Sequence, residues 1–176
     1  MNLLFNGLFL IAGIKWGDWR DWSKYHSTIL FLWFGDLLYN FLCYDYIMWE
    51  YKESIFGINV LPNHMVISLL IMFVCYPATV LIYLGKFPSK PINIVIWVLF
   101  WVALFSLIEY INLRYLDLVS HHNNWTMGWS VLFNMIMFPM LRLHYKYPIT
   151  ALLISVPIIF FFVIYFHVPI GKIKLN

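Results

Sequence analysis

Charge is the scarcest commodity in this sequence. Asp, Glu, Lys and Arg make up 11% of 176 residues, against about 25% in soluble domains. Four stretches hold none of the four: residues 54–85, 91–108, 118–141 and 147–171. Cysteine is nearly missing as well. Cys43 and Cys75 lie in apolar runs, far from any CxxC spacing, and read as small packing residues, which argues against a disulfide scaffold or thiolate metal site. There is no GxSxG elbow, no HExxH and no HxxxH, so no catalytic residue and no cofactor is assigned. The net charge of +3 is spread thinly, without the basic block that a nucleic-acid partner requires.

What is present is apolar. Hydrophobic residues make up 63% of the chain, aromatic residues 21%, and the mean hydropathy is +0.80. Each uncharged run is about the length a helix needs to cross a hydrocarbon layer of ~30 Å. The fold class expected is all-α: a single polytopic transmembrane bundle over residues 1–176, its main partner the lipid bilayer. Five full spans are placed at 26–47, 63–84, 91–113, 125–143 and 148–168. The apolar segment 1–14 is shorter, about 21 Å if helical. Without an Ala-x-Ala-like site it reads as an unprocessed membrane segment, either a thin sixth span or a re-entrant one.

Between the first two segments, Trp16, Trp19 and Trp22 recur at three-residue spacing among charges, which predicts a helix lying in the headgroup region over 16–25. Pro91 and Pro148 stand where a first helical turn tolerates a missing donor, whereas Pro77, Pro139 and Pro157 fall inside spans. An internal echo aligns Ser68, Pro77 and Tyr83 with Ser130, Pro139 and Tyr145 at a constant offset of 62, a pattern that either chance or a duplicated helical hairpin of parallel topology explains.

Loop charges set the orientation. Connections 15–25, 86–90 and 142–146 carry Lys15, Arg20, Lys24, Lys86, Lys90, Arg142 and Lys146, against Lys52, Arg114, Lys172 and Lys174 on the other side. That imbalance places the first group in the cytoplasm and the carboxyl terminus outside.

Polar residues inside spans are the candidate site. Asp36 stands near the middle of the second segment, where a carboxylate costs several kcal/mol unless it is paired, solvated or protonated. Asn40 follows one helical turn later, and Asn134, at comparable depth in the fifth segment, is a candidate partner for Asp36. Two readings stand side by side: a proton- or cation-binding group facing a cavity, or structural glue between helices. Glu109 ends the fourth segment near the outer interface, where the topology also gathers Asp45, Glu50, Glu53, His64, Asp117, His121, His122 and His167. His64, His121 and His122 offer a weak metal alternative, but His121-His122-Asn123-Asn124 reads first as a polar loop.

Several longer elements carry a family likeness. They are Gly35-Asp36-Leu37-Leu38-Tyr39-Asn40, Leu61-Pro62-Asn63 leading into a span, Leu107-Ile108-Glu109-Tyr110 ending one, Trp125-Thr126-Met127-Gly128-Trp129-Ser130, and Met137-Phe138-Pro139-Met140-Leu141-Arg142-Leu143-His144. Over about residues 16–150 the chain resembles a family of small polytopic membrane proteins of endospore-forming Firmicutes. The resemblance implies a bacterial plasma or spore membrane and adds weight to Asp36, Glu109 and Trp125. It implies no activity.

The expectation is therefore a non-enzymatic membrane protein that binds or moves a small ligand or cation through Asp36, Asn40, Asn134 and Glu109. One rival is a structural or accessory subunit whose aromatic faces meet a protein partner or a second copy. The other is a membrane-embedded enzyme acting on a lipid or isoprenoid, with Asp36 or Glu109 as general acid.

Overall fold

The computed structural model describes residues 2–52 and 64–170, with side chains described for 5–52 and 67–170. Within them the chain forms helices α1 (Asn2–Trp16), α2 (Trp22–Leu42), α3 (His64–Gly85), α4 (Pro91–Arg114), α5 (Met127–Lys146) and α6 (Pro148–Tyr165). Two short strands interrupt the series, β1 (Trp49–Tyr51) and β2 (Val119–His121). Pro91 and Pro148 each open a helix, where the absent N–H has no acceptor to miss.

Three helices are long and apolar enough to cross a membrane: Ile67–Gly85, Pro91–Arg114 and Pro148–Tyr165. α2 and α5 have the length, at 21 and 20 residues, but carry more polarity. His26, Asp36 and Asn40 interrupt α2, and Asn134, Arg142, His144 and Lys146 interrupt α5.

Burial separates the roles. The apolar span of α3 is 56% buried, against 17% for α4 and 11% for α6. α3 is the central helix, with α1 and α2 packed on it, while α4 and α6 flank α5. Ile92, Val95, Leu99 and Leu107 on α4, with Leu153, Phe160 and Ile164 on α6, face outward. Outward apolar faces suit lipid, because a helix satisfies nearly all of its own backbone groups, the carbonyl freed by Pro157 in α6 being the exception. The main core joins Tyr25 and Ile29 of α2, Val80–Leu84 of α3, Trp101 and Val102 of α4, and Phe138 and Leu141 of α5. Tyr83 anchors it, donating its hydroxyl to the Phe138 carbonyl at 2.9 Å.

α1 meets α3 through small residues. A Cβ on Gly13 would lie 2.7 Å from the Ala78 Cβ, so only glycine allows this approach. The Trp-rich stretch differs from expectation. No separate interfacial helix forms over 16–25: Trp16 ends α1, residues 17–21 turn, and Trp22 begins α2. The turn is fixed by local bonds, with the Trp19 indole donating to the Gly13 carbonyl at 2.7 Å and Lys24 paired to Asp21 at 2.6 Å. Trp16, Trp19 and Trp22 are all exposed, as interfacial anchors are.

Connections 15–25, 86–90 and 142–147 collect at one end. There Tyr25 stacks on Tyr145, the Arg142 guanidinium sits 4.2 Å from the Phe87 ring, and the Asp18 amide donates to the Leu81 carbonyl. The opposite end is closed by the β1–β2 ribbon and a second cluster of Cys43, Met48, Phe162, Phe166 and Val168. Both cysteines are buried and free.

The ribbon is an addition to the all-α expectation. β1 and β2 pair antiparallel, Trp49 opposite His121, Glu50 opposite Ser120 and Tyr51 opposite Val119. The order helix–strand–helix therefore occurs twice, as α2-β1-α3 and as α4-β2-α5. The helices that carry the sequence echo, α3 and α5, hold the same place in the two units. An antiparallel pair has local two-fold symmetry about its middle residues, here Glu50 and Ser120.

Candidate functional site

Each helix–strand–helix unit holds one carboxylate between its two helices. In the first unit Asp36 of α2 faces α3. Its Oδ2 accepts from Ser68 Oγ at 3.0 Å and from Asn40 Nδ2 at 3.2 Å, and its Oδ1 accepts from Tyr76 Oη at 2.9 Å. Asn40 Nδ2 also reaches the Asp36 backbone carbonyl at 2.9 Å, which one turn of helix allows.

In the second unit Glu109 of α4 faces α5 and the ribbon. Its Oε1 accepts from the Trp49 indole at 3.0 Å, from His121 Nε2 at 2.8 Å and from Ser130 Oγ. The side chains of His121 and Glu109 are only 9% and 14% exposed, so this is an interior pair. Trp125 Nε1 donates to Ser130 Oγ at 2.9 Å and fixes that hydroxyl. Ser68 and Ser130, the serines of the sequence echo, thus do the same job: each donates from the second helix of its unit to the carboxylate on the first.

One face of the ribbon turns toward Glu109. Strand alternation puts Trp49 and Tyr51 on one face, and their rings meet edge to face at 4.4 Å. Trp49 reaches Glu109, and the ionisable neighbours of Tyr51 are Cys75, Asp36 and Glu109. Burial pushes the Tyr51 phenol well above its ordinary range, and these neighbours push the same way. The phenol therefore keeps its proton and stays a donor. Tyr39 holds the strand in place: its hydroxyl donates to the Trp49 carbonyl at 2.9 Å and accepts the Trp49 amide at 2.8 Å.

On the outer face of the ribbon, Glu50 Oε1 accepts from Ser120 Oγ and His122 Nε2, each at 3.0 Å, and Ser120 Oγ lies 3.0 Å from the same His122 nitrogen. A serine–histidine–carboxylate relay needs hydroxyl and carboxylate on opposite ring nitrogens. Here both meet Nε2, so the cluster is not arranged to activate a nucleophile.

Asp36, Asn40 and Glu109 are therefore brought into polar networks. Asn134 is buried as well, but it joins Glu109's pair of helices rather than Asp36: its amide donates to Ser106 Oγ at 3.2 Å, one turn before Glu109 on α4. α5 lies along α4, so depth alone did not identify its neighbour. His121 and His122 serve different carboxylates, Glu109 and Glu50. The side chain of His64 lies outside the described residues, as do Glu53, the Leu61-Pro62-Asn63 motif, Lys172 and Lys174. Among the described residues no group of three or more His, Cys, Asp or Glu is arranged to hold a metal ion. Asp117 lies away from the acids, paired with Lys52 at 2.5 Å.

Sequence reasoning missed Trp49, Tyr51, Tyr76 and Ser120. The alternation Trp49-Glu50-Tyr51 was the available signal, but three residues are too few to separate a strand from a loop. No protein-family model matches the chain, and no curated protein or solved structure matches it either.

Proposed function

We propose that this is a polytopic membrane protein that binds and passes a small cation, the proton being the simplest, through Asp36 and Glu109. The observation that carries the reading is the pair of half-buried carboxylates, one in each helix pair and each held by three side-chain donors, with the Trp49–Tyr51 face of the ribbon bonded to Glu109 through Trp49. A proton on Glu109 passes to Tyr51 Oη as the phenol's own proton moves to Asp36, and ring rotation resets the hydroxyl. Charge and atom count are unchanged at each hop. Ser68, Tyr76 and Asn40 stabilise the Asp36 carboxylate after release, and Trp49, Ser130 and His121 do so for Glu109.

In this reading α2 to α6 all cross the bilayer and α1 is a short companion to α3. The lysine- and arginine-rich end is cytoplasmic in a bacterial plasma or spore membrane. The test is proton flux into liposomes containing the purified protein, driven by a potassium diffusion potential and read with an entrapped pH dye. Wild type carries flux, and Asp36→Asn and Glu109→Gln, verified as folded, fall to the level of empty vesicles. Equal flux in all three would overturn the reading.

A further inference from the structure

The end opposite the ribbon carries a hollow of about 370 Å³, lined by Lys86, Pro88, Asn93, Ile96, Trp97 and Phe100. It lies where the α3–α4 turn meets the outward face of α4. We infer that this hollow is a binding site for one anionic phospholipid, its phosphate at Lys86 and Asn93 and its glycerol and upper acyl chain along Ile96, Trp97 and Phe100.

Three observations point to that occupant. First, the lining is amphipathic along its length: a cation and an amide at the turn, then apolar side chains further along the helix. Second, the apolar wall is fixed in advance. Trp97 donates its indole N–H to the Tyr83 carbonyl at 3.1 Å, and its ring stacks on Phe100 at 5.7 Å and 16°. A rigid wall loses little rotamer freedom when a chain lies against it. Third, the charge is mostly of one sign, and most of it is uncompensated. The connections at this end hold seven Lys and Arg against Asp18 and Asp21. Asp21 is paired with Lys24, and Asp18 accepts from Tyr25 at 2.8 Å. Among the described residues no ion pair engages Lys86. Arg142, over the Phe87 ring, adds a second cation beside the turn.

A zwitterionic lipid gains little there, because its choline meets the same cations as its phosphate. An anionic headgroup gains about fivefold in affinity per lysine, the equivalent of ~1 kcal/mol per basic residue at a membrane surface.

The experiment is native mass spectrometry of the purified protein released from micelles with equimolar dioleoylphosphatidylglycerol and dioleoylphosphatidylcholine. Wild type is expected to retain one phosphatidylglycerol about fivefold or more above phosphatidylcholine. Lys86→Glu should lose that preference, and Ile96→Trp, which fills the hollow without changing charge, should lose the bound lipid. Lys90→Glu, outside the hollow, should keep both. Equal retention of the two lipids by wild type would overturn the inference, as would a preference that survives in Lys86→Glu or Ile96→Trp. Should Lys86→Glu fail to fold, Ile96→Trp decides. Displacement of the lipid by equimolar inorganic phosphate would reassign the site to the free anion and overturn the lipid reading.

Discussion

Asp36 and Glu109 solve the same problem with different partners. A carboxylate in a low-dielectric interior needs donors on its oxygens, and both receive them from serine, aromatic and amide or imidazole groups. At Asp36 an amide oxygen can take the place of one carboxylate oxygen, so Asp36→Asn should fold. Asp36→Leu leaves the donors of Ser68, Tyr76 and Asn40 facing an alkyl group and should lose at least about 2 kcal/mol more, read from denaturant unfolding in micelles. Similar stability of the two variants would show that these donors find other partners. At Glu109 the pair with His121 is interior, and removing one member of such a pair costs ~3–5 kcal/mol. Glu109→Leu should therefore unfold well before Glu109→Gln. The acids were legible in the sequence because each is the lone acid within or ending an apolar run. Their partners were not: Trp49 and Tyr76 belong to a residue class that membrane interfaces already explain, so their hydrogen-bonding roles appear only once α3 and the ribbon surround the acids.

Among the elements, the helices were legible and their connections were not. The helices α4 and α6 start at Pro91 and Pro148, the prolines that read as first-turn residues, and α3 and α4 end beside the charges Lys86 and Arg114. The Trp-rich stretch deceived because three-residue spacing is shared by a surface helix and by a turn flanked by two helix ends. The ribbon stayed hidden because its strands hold three residues each and pair between segments far apart in sequence. The α1–α3 contact rests on one steric fact, the absence of a Cβ at Gly13. Gly13→Ala should destabilise the protein by roughly 1–3 kcal/mol. At Gly35, by contrast, nothing lies within 4 Å of an added Cβ, so Gly35→Ala should be neutral or gain about 0.5–1 kcal/mol from helix propensity. Thermal melting of both in one detergent checks the pair, and equal shifts would contradict the close approach.

For the whole molecule, two helix–strand–helix units are joined by a two-stranded clasp, with α1 packed on the first and α6 on the second. The basic end and the ribbon end are opposite, and the proposed orientation puts the first in the cytoplasm. Ser89→Cys and Tyr115→Cys stand at opposite ends and are both exposed. An impermeant thiol reagent on intact cells should label Tyr115→Cys and spare Ser89→Cys, and the reverse would invert the orientation. The central claim is that the two carboxylates act as one path through a single hydroxyl. Tyr51→Phe tests it most directly, since it removes that oxygen and keeps the ring that packs on Trp49. The measurement is potential-driven proton flux in liposomes for Tyr51→Phe beside wild type. Loss of flux with wild-type thermal stability is the predicted result, and undiminished flux in a folded Tyr51→Phe would contradict the account.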